Sequence, residues 1–231
     1  MFAKPSPVFI AKSLGLAALS GAVLALIVLL HPTSVKQEFP PGVVPVSPQA
    51  LPDVTRETLS CDITMAKVAV SDPPLAVRLA ANSDPATQIV AHLDDGAFVT
   101  VGAERQNWLL IQSPVTGWVP KSATEHSCNQ KVELMTFSPQ GGKVAVHDRF
   151  VGSGRHWYRM NLKQGQTVTI NGKQGLLPFL LNSTTYQPIY EPKSTEDHWS
   201  VSIPATGHYL LELDSHSKGF DYDFTLQVNQ E

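Results

Sequence analysis

The hydrophobic pattern of the chain has three parts: a long uncharged apolar segment, a proline-rich stretch, and many short apolar runs. Residues 14–30 carry no charge, and a helix of that length would span about 25 Å, at the short end for a bilayer. Farther along, short runs of alternating polarity are separated by Gly, Pro and Asp, as is typical of strands joined by tight turns. The pattern predicts an all-β protein preceded by one N-terminal hydrophobic helix.

The N-terminal apolar segment is preceded by Lys4 and Lys12 and by no acidic residue. This charge bias predicts that residues 1–31 place their N-terminus in the cytoplasm and the rest of the chain outside it. Two interpretations stay open, a cleaved signal peptide and an uncleaved signal anchor. No A-x-A-like triplet follows the apolar run, which favours the anchor. The bulk of the chain is expected to be periplasmic or otherwise extracytoplasmic, either membrane-anchored or secreted.

The stretch 32–58 is predicted to be a linker. Its prolines at positions 40, 41, 45, 48 and 52 block regular hydrogen-bond ladders and favour extended chain. At about 3 Å per residue, such a segment reaches several tens of Å. We therefore expect a spacer that holds the folded part away from the membrane.

A first group of short strand candidates runs from Leu75 to Val119. An Asp-Asp-Gly turn and a proline-containing turn punctuate it. Its ordered spacing resembles the bacterial SH3-like (SH3b) domain, whose pattern is matched at Val77-Arg78, Ile89, Leu93, Gly96, Val99, Val101, Trp108, Ile111 and Gly117-Trp118-Val119. The resemblance implies a small SH3-like barrel over residues 59–128 that docks on cell-wall peptide or glycan.

Arg78, Trp108 and Trp118 are the candidate ligand-binding residues of this domain. Tryptophan rings stack on sugar or peptide, and a guanidinium group pairs with carboxylates. In the SH3-like family these tryptophans also fill the small core and the closing strand. A packing role therefore stays open for both side chains.

The chain has two cysteines, Cys61 and Cys128, which bracket the SH3-like segment. The first and last strands of a small barrel meet, so the two residues are expected within disulfide distance. An extracytoplasmic location permits oxidation, and the even count favours a pair. Free thiols or a catalytic cysteine are the alternatives.

A second group of strand candidates fills residues 132–231 and predicts an antiparallel β-sandwich. The candidates are 132–137, 143–151, 156–162, 166–171, 176–181, 198–203, 208–213 and 222–228. The Tyr158…Ile170 run, the turn at residues 204–209 and the strand at residues 222–226 resemble jelly-roll domains of the pre-peptidase C-terminal type and the periplasmic inhibitors of g-type lysozyme. That resemblance implies a jelly-roll-like sandwich and, as an alternative function, inhibition of a lysozyme-like hydrolase.

Charge and residue spacing exclude several classes of function. With 17 Lys and Arg against 20 Asp and Glu, and no basic stripe, nucleic-acid binding has little electrostatic support. The histidines show no metal-ligand spacing, so surface histidines are the favoured interpretation and no metal or cofactor is expected. Gly152-Ser153-Gly154 lacks the full frame of a nucleophile motif. The chain is predicted to have no enzymatic activity.

These observations predict a membrane-tethered extracytoplasmic binding protein. The resemblance to SH3-like domains implies peptidoglycan or an envelope protein as its partner. A lysozyme inhibitor acting through the sandwich and an envelope scaffold protein are the alternatives.

Overall fold

The computed structural model describes residues 53–216 and 219–230, which form seventeen β-strands and one short 3₁₀-helix, Lys121–Ala123. In chain order the strands are β1 (Val54–Asp62), β2 (Met65–Val68), β3 (Leu75–Arg78), β4 (Ile89–Leu93), β5 (Phe98–Arg105), β6 (Trp108–Ser113), β7 (Gly117–Pro120), β8 (Thr124–His126), β9 (Gln130–Phe137), β10 (Gly141–Arg149), β11 (Gly154–Leu162), β12 (Thr167–Gln174), β13 (Phe179–Asn182), β14 (Pro188–Tyr190), β15 (His198–Ser202), β16 (Gly207–Ser215) and β17 (Asp221–Asn229). None of these described residues belongs to a helix long and apolar enough to cross a membrane. The predicted N-terminal helix, residues 1–31, and most of the predicted linker lie outside the described residues.

The strands form three sheets. A six-stranded sheet has the order β1-β9-β11-β16-β13-β14, a four-stranded sheet β10-β17-β12-β15, and a seven-stranded sheet β4-β3-β7-β6-β5-β2-β8. This arrangement confirms the prediction of an all-β protein, whereas the SH3-like and jelly-roll assignments stay predictions. One strand pair departs from the expected antiparallel pattern: β9 and β11 run parallel, because the intervening strand β10 crosses to the four-stranded sheet.

The side-chain alternation of the strands produces two hydrophobic cores. Every second residue of β17, from Tyr222 to Val228, is buried and packs with the inward residues of β11 and β16, as period two requires. A separate core lies on one face of the seven-stranded sheet and includes Val77, Leu109 and Val119. Each sheet therefore has a buried face and an outward face.

The seven-stranded sheet is inserted between two neighbouring strands of the six-stranded sheet. Strand β1 pairs with β9, and β2 to β8 lie between them in the chain. A disulfide joins Cys61 in β1 to Cys128, just before β9, with 5.0 Å between their Cα atoms. Strand β1 begins at Val54, inside the range predicted as linker.

The side chain of Asn129 connects two backbone segments at this insertion point. Its side-chain oxygen accepts hydrogen bonds from the backbone N–H groups of Thr64 and Met65, each at 3.1 Å. Its side-chain nitrogen donates to the carbonyls of Val151 at 2.7 Å and Ser153 at 3.2 Å. Asn129 is fully buried, so these four bonds satisfy a polar group that burial would otherwise penalise.

Candidate functional site

Arg78 and Trp118 are neighbours on the outward face of the seven-stranded sheet. They are register partners on the paired strands β3 and β7. Their sequence neighbours Val77 and Val119 are fully buried in the core of this sheet. Because successive side chains of a strand point to opposite faces, Arg78 and Trp118 lie away from that core.

Gly117 allows this close pairing. A Cβ atom at Gly117 would lie 2.5 Å from Cγ1 of Val77 and 3.0 Å from the carbonyl oxygen of Arg78. A larger residue would push β7 away from β3. The glycine before Trp118 therefore keeps positions 78 and 118 opposite each other on the paired strands.

Trp108 extends the same outward face along β6. Strand β6 pairs with β7, so that Leu110 lies opposite Trp118 and Trp108 lies opposite Pro120. Both tryptophans are half-buried, and neither belongs to the hydrophobic core of the sheet. Within the described part of the chain, neither indole N–H has a hydrogen-bond partner. We call the surface formed by Arg78, Trp108, Leu110 and Trp118 the tryptophan face.

The guanidinium group of Arg78 is held by the loop after β3 but keeps free donors. Its Nη1 donates to the backbone carbonyl of Asp84 at 3.1 Å. Asp84 also receives local support, since its backbone N–H donates to the side chain of Asn82 at 3.1 Å. An arginine carries five N–H donors, so most of them stay available to a carboxylate or to sugar hydroxyls.

A second polar cluster lies buried between the sheets and was not predicted from the sequence. Lys131 on β9 donates to the carboxylate of Asp148, to Glu133 at 3.3 Å and to the hydroxyl of Tyr158 at 3.1 Å. Arg56 on β1 binds both carboxylate oxygens of Glu133. The side chains of Lys131 and Glu133 are 7% and 4% exposed, so this cluster is an interior ion-pair network.

A directed hydrogen-bond chain continues from Lys131. An ammonium only donates and a carbonyl only accepts, and with a neutral His156, whose pKa desolvation lowers to about 4, these two ends fix every bond between them. Tyr158 accepts from Lys131 and donates to Tyr222, Tyr222 donates to Nδ1 of His156, and Nε2–H of His156 donates to the carbonyl of Cys128. The carbonyl of Cys128 therefore fixes the proton of the neutral imidazole on Nε2.

Burial controls the ionisation of these groups. Desolvation lowers the pKa of His156 to about 4, although the bond to Cys128 and the charge of Asp148 act in the opposite direction. Burial alone would raise the pKa of Glu133, but hydrogen bonding to Arg56 and the charge of Lys131 outweigh it and lower that pKa. Burial likewise raises the pKa of Tyr222.

The expectation of surface histidines is wrong for His156, which is fully buried. Its position on β11 shares a strand face with the buried Tyr158, which is the sequence signal that places it inside. Among the described residues, no group of three or more His, Cys, Asp or Glu side chains is arranged to hold a metal ion.

Acidification is expected to destabilise the protein through His156. The folded state keeps this side chain neutral down to about pH 4, whereas in the unfolded chain it binds a proton near its ordinary pKa of 6.5. The unfolded state therefore binds more protons between these values, and the free energy of unfolding falls as the pH decreases from 6.5 to 4. The shift corresponds to about 3 kcal/mol, measurable by urea unfolding at several pH values.

The variant His156→Gln should lose most of this pH dependence above pH 4.5, where carboxylates still contribute little. The exposed His147 on strand β10 of the four-stranded sheet offers a matched control, and His147→Gln should keep the wild-type slope. Equal slopes for the wild type and both variants would contradict a neutral buried His156.

The fold and these two clusters define an all-β, disulfide-linked protein with an outward tryptophan face and a buried ion-pair network. No family model matches the chain, and no curated protein matches it. Three solved structures with some likeness are periplasmic inhibitors of g-type lysozyme. The inhibitor from Aeromonas hydrophila has 16% sequence identity and a TM-score of 0.34, and the match covers 43% of this chain and 99% of that chain. A mutant of the inhibitor from Escherichia coli has 18% identity, a TM-score of 0.34 and coverages of 44% and 99%, and the inhibitor from Salmonella Typhimurium has 14% identity, a TM-score of 0.32 and coverages of 42% and 97%. A likeness of this size does not assign a function to the chain.

Proposed function

We propose that this protein is a non-catalytic, extracytoplasmic binding protein, tethered to the membrane by residues 1–31, that engages peptidoglycan or an envelope protein through the tryptophan face. The observation that supports it most is the pairing of Arg78 with Trp118 on the outward side of the seven-stranded sheet. The disulfide between Cys61 and Cys128 fits an oxidising compartment.

The chemistry of the tryptophan face suits a ligand with both rings and charges. Trp108 and Trp118 present indole surface on adjacent strands, with Leu110 between them in the register. Aromatic rings on a rigid sheet bind flat sugar or peptide groups with little loss of side-chain entropy. Arg78 adds a planar set of donors for the carboxylates of a peptide stem.

The test is a pull-down of the full chain, in mild detergent, with purified sacculi. The wild type should pellet with the wall material, and the double variant Arg78→Gln/Trp118→Leu should lose about tenfold in apparent affinity, as expected when about 1.4 kcal/mol of contact energy is lost. Leucine keeps an apolar side chain at position 118, and the thermal unfolding midpoint checks that the variant folds.

Trp157 on β11 supplies the matched control, because it is a half-buried tryptophan on a different sheet. Trp157→Leu should pellet like the wild type. Loss of pelleting in Trp157→Leu alone would move the binding surface to the six-stranded sheet. Inhibition of a g-type lysozyme that persists in the Arg78→Gln/Trp118→Leu variant would instead support the inhibitor alternative.

A further inference from the structure

The outward face of the six-stranded sheet contains a groove of about 380 Å³. It crosses strands β9, β11 and β16 and lies under the hairpin that joins β13 to β14. The function proposed above uses none of its residues.

The groove begins where a ladder of polar pairs between β11 and β16 ends. Arg155 lies opposite Asp214 and is bonded to it at 2.6 Å, and Trp157 lies opposite Glu212 and donates its indole N–H to it. The next outward residue of β11, Arg159, lies opposite Leu210 instead of an acid. Arg159 is exposed, and within the described residues it has neither an ion pair nor a side-chain hydrogen bond.

Leucines form the floor of the groove around Arg159. Leu134 on β9 and Leu210 on β16 are its register neighbours on the two sides. Leu210 is only 2% exposed, yet it is not part of the core between the sheets. Side chains of the outward face must therefore cover it, which indicates that this face is packed around the groove.

Donors and one aromatic ring form the rim. Asn161 and His208 are register partners, and Tyr186, 54% exposed, lines the groove from the hairpin whose Ser183 N–H donates to the His208 carbonyl. The lining contains no aspartate or glutamate, although the whole chain carries a net charge of −3. The groove is therefore complementary to a negatively charged ligand.

The hairpin turn holds Tyr186 in a conformation that costs backbone energy. Its φ of 55° lies in the left-handed region, which is uncommon for a non-glycine residue. Three hydrogen bonds fix the turn. The side-chain oxygen of Asn182 accepts hydrogen bonds from the backbone N–H groups of Thr184 at 2.9 Å and Thr185 at 3.0 Å. The backbone N–H of Tyr186 donates to the carbonyl of Asn182 at 2.8 Å. The strained turn keeps the aromatic ring at the groove.

We propose that this groove binds an acidic sugar residue of a polysaccharide. Arg159 pairs with the sugar carboxylate, Tyr186 packs against the ring, and Asn161 and His208 bond its hydroxyl groups. The volume lies near the lower end of the range for small-ligand sites and suits one or two sugar rings. The apolar floor and the neutral rim favour a sugar over an acidic peptide, which carries no flat ring surface for Tyr186.

The full chain, in detergent, is titrated with tri-galacturonate, with neutral maltotriose and with the dipeptide Glu-Glu, and binding is measured by calorimetry. Tri-galacturonate should bind with a Kd on the order of 1 mM or tighter, at least tenfold more tightly than the other two probes. Arg159→Gln should weaken this binding at least tenfold, and Tyr186→Leu should weaken it several-fold, whereas Arg155→Gln, which removes an already paired arginine, should change it less than twofold.

Equal binding of maltotriose would show that the carboxylate is not recognised, and equal binding of Glu-Glu would show that the sugar ring is not; either result overturns the proposal. Unchanged binding in Arg159→Gln, with a wild-type unfolding midpoint, would also overturn it. The variant Arg78→Gln/Trp118→Leu should bind tri-galacturonate as the wild type does. The groove and the tryptophan face are therefore tested independently of each other.

Discussion

Substitution of Lys131 by methionine is expected to lower the free energy of unfolding by about 3–5 kcal/mol at neutral pH. Methionine replaces the apolar stem of lysine with an unbranched side chain that lacks only the ammonium group, so packing changes little. The substitution removes the cation that contacts both Glu133 and Asp148 and the donor to Tyr158. Two neighbouring carboxylates are then left without the charge between them, and Glu133 is almost completely buried.

The pH dependence of this loss identifies its cause. Lys131 helps to lower the pKa of Glu133, so without it this pKa is higher, and the folded variant takes up a proton at a higher pH than the folded wild type does. The stability difference between Lys131→Met and the wild type should therefore shrink as the pH is lowered from 7 to 4.5. Urea unfolding at both pH values measures it.

Two further variants separate the charge effect from simple damage to the core. Adding Glu133→Gln to Lys131→Met removes one of the two carboxylates and should restore part of the lost stability. Lys143, an exposed lysine on β10 without an ion pair in the described structure, gives the control, since Lys143→Met should change stability by less than about 0.5 kcal/mol. Similar losses for the two methionine variants would exclude the ion-pair explanation.

Most strands could be predicted from the sequence because their alternation is regular. Tyr222, Phe224, Leu226 and Val228 share the buried face of β17, as period two indicates. The outward position of Trp118 follows from the same rule, because the apolar Val119 beside it is buried. The choice between packing and binding was open in the sequence, since a tryptophan fits the core as well as the surface.

The buried network could not be predicted, because its strand shows a misleading alternation. In β9 the apolar Val132 and Leu134 suggest the inward face, yet Lys131 and Glu133 are the buried residues. The charges are tolerated there because Arg56, Asp148 and Tyr158 arrive from three other strands. A local pattern contains no information on partners so distant in the chain.

Removal of the disulfide by Cys61→Ser/Cys128→Ser is expected to lower the free energy of unfolding by about 4 kcal/mol. The two cysteines are 67 residues apart, and in the chain-entropy model the cross-link restricts the unfolded state of a loop of this length by that amount. The closed loop contains all seven strands of the seven-stranded sheet. Denaturant unfolding of the variant and of the wild type, with and without reductant, measures the effect.

The wild type in reductant should match the serine variant, and the variant itself should not respond to reductant. A variant as stable as the oxidised wild type would contradict a stabilising cross-link. The serine variant should also keep the loss of stability between pH 6.5 and 4, because His156 is held by Tyr222 and by the backbone carbonyl of residue 128, neither of which involves the sulfur atoms. The loss of the disulfide and the protonation effect of His156 therefore add. Of the four combinations of these two conditions, the serine variant at low pH should have the lowest free energy of unfolding.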